Sequence, residues 1–228
     1  MRQLMVLRHG QTAWNLEGRW QGWLDIPLDD VGRAQARARA AQLAAAGTTF
    51  AGVAASPLGR ALETATIVAE RLDLGAVRTY PGLRERNGGD WQGRTTADID
   101  ERWPDELLAL RRGEIDTPPG GESTAEMMDR LDGALADIDT TMPAGPILVV
   151  THGGIARALV NRTRAAESRA IFANVGGMWM DYDRGRLRAG EPLPVLEHDP
   201  ATPEGPLPTA PEIVAAEHAS GNSETHAN

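Results

Sequence analysis

A chain of 228 residues, 41% hydrophobic and 24% charged, has the balance of a globular protein that can bury a sizeable core. It has no cysteine, which excludes disulfides, zinc–thiolate sites and cysteine nucleophiles. A net charge of −9 argues against a nucleic-acid partner held through its phosphates; no apolar run nears the ~18 residues that would cross a bilayer, and no basic, signal-length apolar leader opens the chain, so a cytoplasmic location without a membrane partner is the expectation.

The chain opens on Leu4-Met5-Val6-Leu7, an apolar run that ends in Arg8-His9-Gly10. Such a run bounded by a turn reads as a buried strand, and open α/β sheets place ligands at the C-terminal ends of their strands. Residues 13–28, with glycines, three Trp and no period, read as an ordered loop walling a pocket next to His9. Asp29-Asp30 caps a helix over 31–46 that Gly47 stops. A short strand follows at 53–56, then a helix running to about residue 72 with Ser56 or Pro57 at its start, then a strand at 77–80. Residues 83–93 form a Gly-rich loop, and 96–112 a pair of short helices broken at Pro104. A long helix spans 123–140, with Glu126 at the capping-box offset from Ser123.

Ile147-Leu148-Val149-Val150-Thr151-His152-Gly153-Gly154 then repeats the opening pattern, an apolar run into His-Gly. A lone His after a strand is more often structural than catalytic. Two such strands change the balance, because neighbours in one parallel sheet would set both imidazoles across a single pocket. A helix at 154–162 and a strand at 177–183, closed by Arg184-Gly185, complete the series. Strands alternating with helices predict a three-layer α/β/α domain with a mostly parallel central sheet over residues 1–190. Residues 191–228 hold seven acids, seven Pro and no Lys or Arg, which leaves the rest of the chain near −2. They read as an acidic, Pro-rich, mostly disordered tail, pinned at most near 193–196.

Two His can hold a metal, but Arg8 beside His9 repels a cation and no H-E-x-x-H spacing is present. Phosphate chemistry suits the residues better. Arg8 offers a planar fork for phosphate oxygens, Arg60 lies in the first turn of a helix, and Asn15 adds a neutral donor. One imidazole can attack phosphorus and the other, protonated, can stabilise the developing charge. Glu85, on the Gly-rich loop, is placed to donate a proton, but by sequence chemistry alone it reads more readily as an ordinary surface acid.

Leu7-Arg8-His9-Gly10-Gln11-Thr12 resembles the signature of the histidine phosphatase superfamily, which includes phosphoglycerate mutases. Four further blocks extend the likeness: Asn15 to Gln35-Ala36, Ser56 to Ala65, Leu83-Arg84-Glu85 with Gly89, Trp91 and Gly93, and Gly120 to Ser123 with Val150 to Gly154. The resemblance implies that His9 is the phosphorylated nucleophile. It implies that Arg8, Arg60 and His152 bind the phosphoryl group, and that Glu85 donates a proton and then activates water. By the same likeness Asn15 is a phosphate contact, Gln21, Gly22 and Gly153 line the pocket, and neither metal nor cofactor is used. The short Gly-Gly-Glu-Ser block is similar to the phosphatase branch, including actinobacterial members acting on glucosyl-3-phosphoglycerate. A small phosphomonoester is the expected substrate, a phosphoglycerate derivative or a sugar phosphate. Mutase-type transfer and non-catalytic binding are the alternatives, and a homodimer is compatible. Arg86-Asn87-Gly88-Gly89 departs from the acidic or apolar step usual after the acid. Trp14, Trp20, Trp23 and Arg86 are expected at the substrate's non-phosphate end.

Overall fold

The structure is a computed structural model that describes residues 1–163 and 173–196. Its centre is a six-stranded sheet of β1 (Arg2–Arg8), β2 (Gly52–Ala55), β3 (Arg78–Thr79), β4 (Ile147–Thr151), β5 (Gly177–Asp183) and β6 (Arg186–Pro192), in the order β3-β2-β4-β1-β5-β6. β3, β2, β4 and β1 are mutually parallel, while β5 runs antiparallel to β1 and β6 antiparallel to β5. Alternate residues of β1 and β4 feed two separate cores. Leu4, Val6, Ile147 and Val149 pack with α6 (Thr124–Thr141) and α7 (Gly153–Thr163). Met5, Leu7, Leu148 and Val150 pack with α2 (Asp30–Ala45) and α3 (Gly59–Leu72). Both faces are covered, and this is why the two strands read as unbroken apolar runs rather than as alternating ones.

Asp29 caps α2 through Gly32 N–H, and Ser123 with Glu126 forms the capping box of α6. α3 starts later than expected. Its N-cap is Leu58, without a side-chain bond, and Ser56 instead accepts Leu58 N–H and faces His152. The loop after β1 contains a single helical turn, α1 (Ala13–Leu16). α4 (Thr96–Arg102) and α5 (Pro104–Arg112) meet at Pro104 and enclose a third, small core of Trp91, Ile99 and Leu107. β6 continues across residue 190, where the composition changes, and Leu193 beyond it is buried. The rest of the acidic segment, from 197, lies outside the described residues.

Candidate active site

β1 and β4 pair in register with Arg8 opposite Thr151, so His9 and His152 leave the sheet side by side. Their ring centroids are 5.2 Å apart in an edge-on contact, and both are buried. His9 Nδ1 donates to the Gly10 carbonyl at 2.6 Å. A carbonyl only accepts, so the ring proton sits on Nδ1 and Nε2 keeps its lone pair. His152 Nε2 bonds Ser56 Oγ at 2.7 Å, while its buried Nδ1 has no hydrogen bond within the protein.

Arg60, in the first turn of α3, is fully buried. Its Nη1 and Nη2 donate to the carbonyls of Leu24 and Gly22 at 2.8 Å each, and its Nε is left without a bond. Burial lowers its pKa to about 10, against the pull of Glu85 and Asp25, so it remains a cation. Burial also lowers Arg8, which Glu85 opposes and Arg157 reinforces. Both imidazoles are held well below the ordinary histidine value, first by burial and then by neighbouring groups: Arg8 and Arg60 for His9, and Arg60 ahead of the His9 ring and Arg8 for His152. Both rings are therefore neutral.

Glu85 is held by two backbone amides. Its Oε1 accepts Arg86 N–H at 2.8 Å and its Oε2 accepts Gly154 N–H at 3.0 Å. A Cβ at position 154 would collide with this carboxylate, which is why the second glycine after His152 is needed. The loop is held from behind. Arg130 on α6 donates to the carbonyls of Gly82, Arg84 and Glu85 at 2.7–2.9 Å and clasps both carboxylate oxygens of Glu122. Trp23 Nε1 donates to the Glu85 carbonyl at 2.6 Å, and the Arg84 guanidinium stacks 4.5 Å from the Trp23 ring.

Arg8, His9, Asn15, Arg60 and Glu85 share one cleft of about 400 Å³. Trp20, Gln21, Gly22 and Arg86 line it as expected. Gly153 does not; it lies behind Arg8, and Gly154 takes its place on the wall. Trp14 and Trp23 are likewise not on the wall: Trp14 covers Gly93, and Trp23 supports the acid loop. Thr124, Met127, Arg157 and Asn161 complete the wall from α6 and α7. Sequence patterns gave no sign of these, nor of Arg130, whose acceptors are mainly backbone carbonyls brought near only by folding. Among the described residues, no group of three His, Asp or Glu could hold a metal ion, and no helix is long and apolar enough to cross a membrane.

Residues 4–189 match the family model described as histidine phosphatase superfamily (branch 1), a span that contains every polar group just placed in the cleft. The chain belongs to that superfamily. Within the superfamily it is 40% identical over 164 residues to "Phosphoglycerate mutase-like protein 4" of Arabidopsis thaliana, covering 71% of each chain. It is 39% identical over 166 residues to the glucosyl-3-phosphoglycerate phosphatase of Mycobacterium tuberculosis, covering 69% of this chain and 73% of that one. The fold superposes on the structure of mycobacterial glucosyl-3-phosphoglycerate phosphatase with VO3 at a TM-score of 0.70 and 34% identity, over 83% of this chain and 98% of the other. The α/β architecture is thus that of the histidine phosphatases.

Proposed function

We propose that this chain is a metal-independent phosphomonoester hydrolase that works through a phosphohistidine at His9, on a small phosphorylated metabolite in the cytoplasm. The observation that carries the reading is the state of His9. It is neutral, its proton is fixed on Nδ1 so that Nε2 keeps its lone pair, and it shares one cleft with the Arg8 and Arg60 guanidinium groups and the Glu85 carboxyl group. Arg8, Arg60, the Asn15 amide and His152 hold the substrate phosphoryl group. Its negative charge raises the pKa of His152, which can then donate to a phosphoryl oxygen. His9 Nε2 attacks phosphorus, the phosphorus–ester oxygen bond breaks, and the leaving oxygen takes the proton of Glu85. Glu85 then accepts a proton from water as the water oxygen attacks phosphorus. The nitrogen–phosphorus bond breaks and phosphate departs.

A cleft of about 400 Å³ suits a metabolite rather than a folded protein. The names of the mycobacterial relatives support a phosphoglycerate derivative as substrate, with sugar phosphates next. The test uses wild type and His9→Ala with EDTA present. The panel is glucosyl-3-phosphoglycerate, 3-phosphoglycerate, sugar phosphates and p-nitrophenyl phosphate, with phosphate release and isomerisation read together. Release that is lost in His9→Ala is the expected result. Isomerisation with little release would make the chain a mutase, and phosphate binding without turnover would make it a regulator.

A further inference from the structure

Asn15 lines the cleft, and its side-chain orientation is fixed by three donors. Thr12 N–H and Thr12 Oγ1–H each reach its Oδ1 at 3.1 Å, and Asn174 Nδ2 reaches it at 3.3 Å. The Thr12 amide can only donate, so the atom facing it is oxygen, and the Asn15 NH2 must point elsewhere. Asn174 Nδ2 also donates to the His9 carbonyl at 3.2 Å, which orients Asn174 by the same logic. One amide group therefore touches both the nucleophile's backbone and the side chain of a phosphate contact.

The turn that carries Asn174 is held in an unfavourable shape. Val175 has φ = +49°, a left-handed conformation rare for a β-branched residue, and its side chain is fully buried. Such conformations persist only where surrounding bonds impose them, and they concentrate at functional sites. Here Val175 N–H donates to the His9 carbonyl at 3.3 Å, and Arg8 N–H donates to the Gly176 carbonyl at 2.8 Å. The buried Arg39 of α2 donates from Nε to the Val175 carbonyl at 2.8 Å and from Nη1 to the Pro194 carbonyl at 2.8 Å. The end of β1 is thus tied to this turn at Arg8 and His9, with Arg39 bracing the turn from its far side.

We propose that Asn174 is a positioning residue of the phosphoryl site, which aims the Asn15 amide into the cleft by holding Asn15 Oδ1 and the His9 carbonyl in one grip. The proposal rests on the reading of Asn15 as a phosphate contact. The experiment measures the affinity of inorganic phosphate for wild type, Asn15→Ala, Asn174→Ala and the double variant, with thermal midpoints recorded alongside. Asn174→Ala is expected to weaken phosphate about fivefold, the worth of one net hydrogen bond, and to add nothing in the Asn15→Ala background. A merely structural role would weaken phosphate by the same factor in both backgrounds, and that result overturns the proposal. Asn174→Asp keeps the size but sets a carboxylate against Asn15 Oδ1 and the His9 carbonyl, so its loss should be at least as large as that of Asn174→Ala. Wild-type affinity in either Asn174 variant also overturns the proposal. If Asn15→Ala itself leaves phosphate affinity unchanged, the phosphate-contact reading fails, and the role of Asn174 fails with it.

Discussion

Replacing Arg130 by Ala should separate two kinds of substrate. Arg130 does not itself line the cleft, yet its guanidinium bonds the carbonyls of Gly82, Arg84 and Glu85 and both carboxylate oxygens of Glu122. Its side chain is 18% exposed and that of Glu122 11%. Removal leaves a mostly buried carboxylate with Asn87 N–H as its remaining bond, a loss of about 2–4 kcal/mol in folding stability. The acid loop keeps Trp23 and Gly154 as anchors and so relaxes rather than unfolds. A displacement of roughly 1 Å costs a positioned group about 10²-fold in rate. That loss falls on steps needing a proton from Glu85, where general acid catalysis supplies about 10²–10⁴-fold. Alkyl phosphomonoesters should lose about 10²-fold in kcat/KM, which reports the step that expels the leaving group and not the later hydrolysis, and p-nitrophenyl phosphate, whose leaving group departs readily as an anion, only a few-fold. Arg130→Lys should fall between wild type and Arg130→Ala, because a point charge cannot reach all these acceptors. Equal losses on both substrates would refute the idea that Arg130 acts through Glu85.

Further predictions concern pH, glycines and selectivity. His9 and His152 stay neutral in the folded chain and bind protons near pH 6.5 once unfolded. The unfolded state then holds more protons below that pH, so stability should fall on acidification by about 1.4 kcal/mol per pH unit for each ring. Urea midpoints between pH 7.5 and 5.5 should slope less steeply in His9→Gln/His152→Asn, and an unchanged slope would contradict the buried neutral rings. The acid limb of kcat/KM should lie below the usual histidine range for the same reason, which a pH–rate profile checks. Gly32→Ala drives a Cβ into the Gln11 backbone, at about 1–3 kcal/mol. Gly133→Ala, exposed in α6 with nothing near it, should gain about 0.5–1 kcal/mol, and thermal unfolding of the pair checks both. Trp20→Ala and Arg86→Ala should reorder the substrate panel, and an unchanged ranking would remove them from the leaving-group end.

The candidate site was legible because its residues sit in short, local signals. An apolar run into His-Gly occurs twice, and burial on both faces of the sheet produces those runs. Helix starts at Asp29 and Ser123 were legible for the same local reason, a side chain satisfying its own helix. What could not be read was made by distant backbone. Arg130 and Glu122 look like ordinary helix and loop charges until carbonyls more than 40 residues away in the chain meet one of them. Trp14 and Trp23 share a loop with Trp20 but face other partners. β6 was hidden because its side chains are nearly all exposed and so leave no hydrophobic alternation, and the proline-rich composition beyond it blurred its end.

The pairing of β1 with β4 also sets when this chemistry can begin. Leu4 aligns with Ile147, about 140 residues apart in the chain, and β1 receives its other neighbour only with β5. Contacts of such separation form slowly, since the intervening chain must be ordered first. During synthesis His9, the proposed nucleophile, emerges among the first residues and His152 long after it. A nascent chain therefore carries His9 as an ordinary imidazole, and the surroundings that the proposed chemistry requires are assembled in one late step rather than by degrees.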